Sequence, residues 1–265
     1  MAITAAMVKK LRDKTGAGML DCKKALINVD GDFEAAFDEL RKSGIAKAEK
    51  KAGRSTKEGK VFVSVKDGEA AAIEVLCETD FVSKNEKFNA FASDIVKRVV
   101  EYDADGDVSE KAQELEKDNV IGMISNIGEN MQLRRAAKWT TTGKVGTYLH
   151  MGGRIGVMVE VGGEIADDIL ADLCMHIAAF NPQYIAVEDI PAEIIAKEKE
   201  IATAQLVGKP ENIIEKILVG KINKWYNEVC VVKQPWLKDD KSCFAKVSPK
   251  SEIKRFIRWQ VGEEL

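Results

Sequence analysis

Residues 77–88, CETDFVSKNEKF, join two different periodicities. Upstream, Ala71, Ile73, Val75 and Cys77 alternate with other residues as in a half-buried strand, whereas downstream Phe88, Phe91, Ala92, Ile95 and Val99 recur at helical spacing. The period therefore changes from two to about 3.6 across Thr79–Val82, which predicts a short strand-to-helix corner. Ser83, with Glu86 three residues later, has the form of a capping box for the helix that follows. Phe81 stands on the corner itself. It is either a plug for the core or an anchor for a partner, since a few aromatic and Arg residues carry most interface energy. The helix already supplies Phe88 and Phe91 to its inward face, but the pattern alone leaves both roles open.

Outward from this corner the pattern repeats. KVFVSV, the turn KDGE, AAAIEV and a helix are echoed by KVGTYL, the turn HMGGR, IGVMVEV and a helix from about Ala166 to Phe180. Each reads as strand, tight turn, strand, helix, and together they predict two related α+β subdomains with antiparallel strands. Between them, residues 109–139 read as two helices, the second interrupted around Gly128. Before them, Thr4 caps a helix stopped by Gly16 and Gly18, a second helix carries Met19, Cys22, Leu26 and Val29 to Asp30-Gly31, and a third runs from Asp32 to Gly44, predicting a three-helix bundle. The basic run IAKAEKKAGRSTKEGK follows as a linker. After the repeat, Ile194, Ile201 and Gln205 line one helix, Gly208-Lys209-Pro210 breaks it, and Ile213, Ile217, Leu218 and Trp225 line a second running back. EVCVVKQPW and FIRWQVGEE read as strands returning to the second subdomain, which makes the helical pair an insertion.

Composition excludes several function classes. The 265 residues are 45% apolar and 31% charged, with a net charge of −3, the balance of a soluble globular chain without overall bias toward nucleic acid or anionic lipid. There is no run of eighteen apolar residues, and MAITAAMVKKLRDK lacks the order of a secretory signal, so a cytoplasmic location is expected with no membrane partner. Five widely spaced cysteines without a Cys-x-x-Cys pair predict buried thiols, with neither disulfides nor zinc. No phosphate loop, dinucleotide fingerprint, His-Glu-x-x-His or Gly-x-Ser-x-Gly occurs. With two histidines in the chain, His176 on an apolar helix face and His150 at a turn, no catalytic residue, metal site or cofactor is expected. Asp167 and Asp168 read as helix-start charges.

At several places the residues resemble one family closely. LRDKTGAGMLDCKKAL, CETDFV, IGENMQLRR, HMGGRIGV and KPENIIEKILVGKINKWYNEVCVVKQPW occur in the order of the elongation factor Ts family, the nucleotide exchange factors of bacterial protein biosynthesis, and span nearly the full chain. The resemblance implies an α+β protein with a ubiquitin-associated-like three-helix domain and its basic linker at 1–54, a first core subdomain at 55–143, a second at 144–181 and 229–265, and an antiparallel helical hairpin inserted at 182–228. It implies a non-enzymatic partner of elongation factor Tu that disturbs the magnesium and phosphate site and promotes GDP release. In the family's pattern the magnesium-displacing corner maps onto Thr79, Asp80, Phe81 and Val82, with Phe81 as a wedge. Further contacts map onto Arg12, Met19 and Leu20 and onto Ile127, Gly128 and His150. A homodimer or a two-plus-two complex through the hairpin is compatible with it. Longer members continue into a C-terminal helical module, whereas this sequence stops at QVGEEL, so that contact is expected to be absent or replaced. The alternative is a nucleic-acid-binding protein using the N-terminal helices and basic linker; the resemblance implies no direct nucleic-acid partner.

Overall fold

The computed structural model describes residues 2–206 and 210–265, and for residues 211–213 the backbone but not the side chains. The architecture is α+β, with helices at the N-terminus and an antiparallel-stranded core. Two compact units emerge. The first holds residues 1–140, 151–155 and 259–265, and the second holds 141–150 and 156–258.

In the first unit, α1 (Ala5–Thr15) starts at Thr4, whose hydroxyl accepts from the Met7 amide at 3.3 Å, and stops at Gly16 in the left-handed conformation. α2 (Met19–Asn28) buries Cys22, Ala25 and Leu26 against Val8, Leu11 and Ala36. α3 (Phe33–Glu49) is capped by Asp32 and continues past Gly44 through Ile45–Glu49, five residues into the expected linker. The reason is tertiary: α3 packs on α6 (Ser109–Ile127), and Ala48 joins the core of the sheet.

β1 (Glu58–Lys66) and β2 (Glu69–Cys77) pair through the Asp67-Gly68 turn, and the sheet order is β1-β2-β4-β3, with β3 at Gly106–Asp107 and β4 at Met131–Thr140. β2 is buried on both faces, not one. Ala71, Ile73, Val75 and Cys77 meet α5 (Glu86–Val99) and α6, while Leu76 packs with Val61, Trp259 and Val261 on the other face. That second face also buries Glu74. A β-bulge between Glu74 and Val75 leaves Arg134 as the extra residue of β4. Arg134 and Arg135 therefore both reach the Glu74 carboxylate, at 3.4 and 2.6 Å, although neighbours on a regular strand point to opposite faces.

The interrupted second helix expected within 109–139 does not exist. α6 is one helix of 19 residues that ends at Gly128, left-handed at φ 92°, and the chain then enters β4. Gly128 terminates a helix instead of interrupting one, because a residue with positive φ releases the ladder without a Cβ clash.

A second sheet has the order β5-β6-β7, formed by Lys144–His150, Ile155–Gly163 and Ser251–Gln260, and all of it but Ile155, Trp259 and Gln260 belongs to the second unit. α7 (Asp167–Phe180) packs on β5, and α8 (Ala192–Ala204) packs on α9 (Glu211–Val229). A last one-turn helix, α10, spans Phe244–Val247. The expected stripe is corrected: Ile194 and Ile201 are exposed, and Ala202, Leu206 and Ile222 are buried instead. Ile217 and Leu218 are half-buried. Gln205 contributes through its polar end, accepting from Lys221. The Ile213 side chain and the Gly208-Lys209 part of the turn lie outside the described residues. EVCVV is not a strand either. α9 continues to Val229, and Cys230 makes a single bridge to Tyr184.

His176 is a core histidine, stacked on Phe180 and Trp236 and hydrogen-bonded through Nε2 to Gln234 at 3.0 Å. Asp167 and Asp168 do open α7. Four cysteines are buried, but Cys243 is only half-buried.

Candidate partner-binding corner

β2 ends at Cys77, and the chain turns immediately into α4 (Asp80–Ser83), a single helical turn. Thr79 is its N-cap. With extended backbone at φ −126°, its Oγ1 accepts from the Val82 amide at 3.4 Å, satisfying a donor that no helical carbonyl reaches. Ser83 is not the cap of a box with Glu86. Its Oγ donates back to the Asp80 carbonyl at 2.8 Å, and Asn85 caps α5 by accepting from the Lys87 amide at 2.8 Å. Two short-range caps thus replace the one expected, because a full turn intervenes between strand and long helix.

Orientation follows from that turn. Val82 and Ser83 are buried, Val82 within the core of the first unit, while Phe81 points away with its residue 81% exposed. Phe81 is not a core plug. Asp80 lies beside it, and the Lys84 ammonium 2.6 Å away, by hydrogen bond and then by charge, holds its carboxyl below the usual carboxylate range.

A set of polar contacts fixes the corner from below. Both the amide and the hydroxyl of Thr79 donate to the Glu129 carboxylate, at 3.0 and 2.6 Å. In return the Asn130 amide donates to Glu78 Oε1 at 2.6 Å, and Asn130 Nδ2 donates to the Arg54 carbonyl at 2.9 Å. Cys77 donates its thiol hydrogen to the Thr79 carbonyl at 3.2 Å; burial, with the nearby Glu129 and Glu58 charges adding to it, pushes that thiol up to about 12 and keeps it a donor. The end of β2 and the loop 128–130 are consequently cross-braced in both directions.

This geometry brings Thr79–Val82 together with Ile127 and Gly128, since Glu129 follows directly on them and Ile127 packs against the core that holds Val82. Arg12, Met19 and Leu20 lie on the N-terminal helices with exposed side chains, Met19 at 58% and Leu20 at 72%. His150 belongs to the other compact unit, where it is exposed and its Nδ1 lies 3.1 Å from the Tyr148 hydroxyl. Sequence reasoning missed Glu78, Glu129 and Asn130. The only signal was that polar residues follow Gly128 and Cys77 where each element ends, and partners some fifty residues apart carry no local periodicity.

Among the described residues no group of three or more His, Cys, Asp or Glu is placed to hold a metal ion, and no helix is long and apolar enough to cross a membrane. Residues 78–263 match the family model for elongation factor Ts. The chain belongs to the elongation factor Ts family. The elongation factor Ts of Aquifex aeolicus is 41% identical over 286 residues, covering 99% of this chain and 99% of its own. That of Thioalkalivibrio sulfidiphilus is 45% identical, covering 99% and 93%. That of Trichlorobacter lovleyi is 42% identical, covering 100% and 94%. The family match opens at Glu78, so the elongation factor Ts region includes Thr79–Val82, Glu129 and Asn130 but not Cys77 or Arg54, and the relatives extend the likeness through the N-terminal helices.

Proposed function

We propose that this chain is the guanine nucleotide exchange factor for elongation factor Tu, binding that protein with GDP and using the Thr79–Val82 corner to disturb its magnesium and phosphate contacts so that GDP leaves and GTP enters. The observation that carries the proposal is Phe81: a large apolar ring 81% exposed on a one-turn helix whose cap is locked to the loop between α6 and β4. An exposed ring on a rigid mount enters a partner's pocket at little cost in ordering, which is what an anchor residue needs.

No covalent step is required. The factor has only to bind the nucleotide-free partner better than the GDP-bound one, and GDP then weakens the factor by the same ratio. A nucleotide held with nanomolar affinity represents about 12 kcal/mol, and one buried Phe contributes about 2 to 3, so the wedge acts with other contacts. We assign these to Asp80 and to Ile127, Gly128 and His150 on the nucleotide-binding side, and to Arg12, Met19 and Leu20 on the N-terminal helices. The N-terminal helices act as a ubiquitin-associated-like module, α8 and α9 as an inserted hairpin for association, and the protein works in the cytoplasm.

Three of the six cations in the basic run already have partners, which favours the exchange reading over the nucleic-acid alternative. Lys47 is paired with Asp21 at 2.9 Å and Arg54 with Glu78 at 3.4 Å, while Lys60 donates to Asn89 at 2.8 Å. The direct test is release of labelled GDP from purified elongation factor Tu. Sub-stoichiometric amounts of this protein should accelerate release through repeated cycles, and an unchanged release rate at excess protein would overturn the proposal.

A further inference from the structure

We infer that Glu129 is the positioning residue of the exchange corner, holding Phe81 in its outward pose through Thr79. The inference rests on the exchange reading above and deepens it.

Thr79 has one hydroxyl hydrogen and uses it on Glu129 at 2.6 Å. With that hydrogen committed, a lone pair of the same oxygen is left to accept from the Val82 amide. The other Glu129 oxygen takes the Thr79 amide at 3.0 Å, so a single carboxylate fixes the cap residue by its backbone and its side chain together. A turn of four residues cannot hold its own shape, because the first hydrogen-bonded turn orders several dihedrals for one bond. Its geometry must be imposed from outside. Core packing of Val82 imposes one end and Glu129 imposes the other.

Glu129 itself is well anchored. It sits between Gly128, which ends α6, and Asn130, whose amide and side chain bond to Glu78 and to the Arg54 and Ala52 carbonyls. The carboxylate therefore acts as a fixed strut from the α6–β4 loop to the cap of α4. Without it the Thr79 hydroxyl rotates freely, the cap weakens, and Phe81 samples poses that a pocket does not accept.

The test compares the GDP release rate from elongation factor Tu at saturating factor, and the factor concentration at half-maximal rate, for wild type, Glu129→Gln, Glu129→Ala, Thr79→Val, the double variant Thr79→Val/Glu129→Ala, and Phe81→Ala. Unfolding midpoints are taken on the same preparations. Glu129→Ala should lower the saturating rate about tenfold, the scale of one charge-assisted hydrogen bond. Glu129→Gln keeps an acceptor oxygen, and its smaller loss of about threefold also serves should the Ala variant fold poorly. The losses in the double variant should be less than additive, since both changes remove the hydroxyl–carboxylate bond, although Thr79→Val leaves the residue 79 amide free to donate to Glu129.

A saturating rate equal to wild type in both Glu129 variants, whatever their midpoints, would reduce Glu129 to a structural residue and overturn the inference. Additive losses in the double variant would do the same, by making Glu129 act independently of Thr79. If instead Phe81→Ala exchanges normally, the corner is not the working edge and the exchange reading itself fails, a result distinct from failure of Glu129 alone.

Discussion

At the scale of single residues, Phe81 separates stability from function. A core Phe truncated to Ala costs about 3 to 5 kcal/mol, but an exposed ring forfeits little, so Phe81→Ala should keep the unfolding free energy within about 1 kcal/mol of wild type. Chemical denaturation measures this, and a loss of core size would return Phe81 to the interior. Asp80 is expected to matter less than Phe81. Its exposed pair with Lys84 adds little to folding, and because Lys84 holds its pKa low, it stays ionised throughout the neutral range. Asp80→Asn should thus slow GDP release less than Phe81→Ala and leave its pH profile unaltered between about pH 6 and 8. A bell-shaped profile that disappears in Asp80→Asn would point to acid–base work. At this scale the sequence displayed the exposed actors but not their supports. Phe81 is conspicuous in a period change, whereas Glu129 works on a residue fifty positions away, and nothing local marks such a partner.

Among elements, α7 carries the clearest pH consequence. Burial holds His176 below its ordinary pKa of 6.5, against the opposing hydrogen bond that its Nε2–H donates to the Gln234 carbonyl. Because the folded pKa is the lower one, the neutral ring's contribution is complete above about pH 6.5 and is lost as pH falls through that value toward the folded pKa. The unfolding midpoint should therefore drop on acidification from about pH 7.5 to 5.5, and the drop should be shallower in His176→Phe. That variant also strands the Gln234 carbonyl, which lowers its midpoint at every pH without changing the slope. Equal slopes would show that His176 is not the titrating group. Gly146 on β5 makes a second prediction: a Cβ there would lie 2.6 Å from Cys174 Sγ and 2.8 Å from Leu170, so Gly146→Ala should cost about 1 to 3 kcal/mol by overpacking. Thermal or denaturant unfolding reports it, and an unchanged midpoint would mean that α7 moves aside freely. The strands of both repeats and the stops at Gly16 and Asp30-Gly31 were legible because local chemistry decides them. The continuity of α6, the extension of α3 past Gly44 and the full burial of β2 were not, since each depends on what packs against the element. EVCVV has strand composition, but its α9 context carries the helix through Val229.

For the whole molecule, the proposed division of labour places association in α8 and α9 and exchange at the corner. Tyr184, Ile190, Ile195, Trp225, Val229 and Cys230 form a cluster at the base of these helices, so an excision must leave that base intact. Replacing residues 197–220 by a short Gly-Ser link should leave the protein folded and able to release GDP at saturating concentration, with any loss confined to affinity or self-association. Sedimentation and GDP release on one preparation test this, and abolished release at saturation would move α8 and α9 into the mechanism. The exchange step itself is assigned to the braced corner that presents Phe81. That role is tested most directly by the rate of labelled GDP release from elongation factor Tu at saturating wild-type protein and at saturating Phe81→Ala. The truncated protein, folded to the same midpoint, should be slower by at least about tenfold, a rise of about 1.4 kcal/mol in the exchange barrier; equal rates would show that Phe81 is not the working wedge.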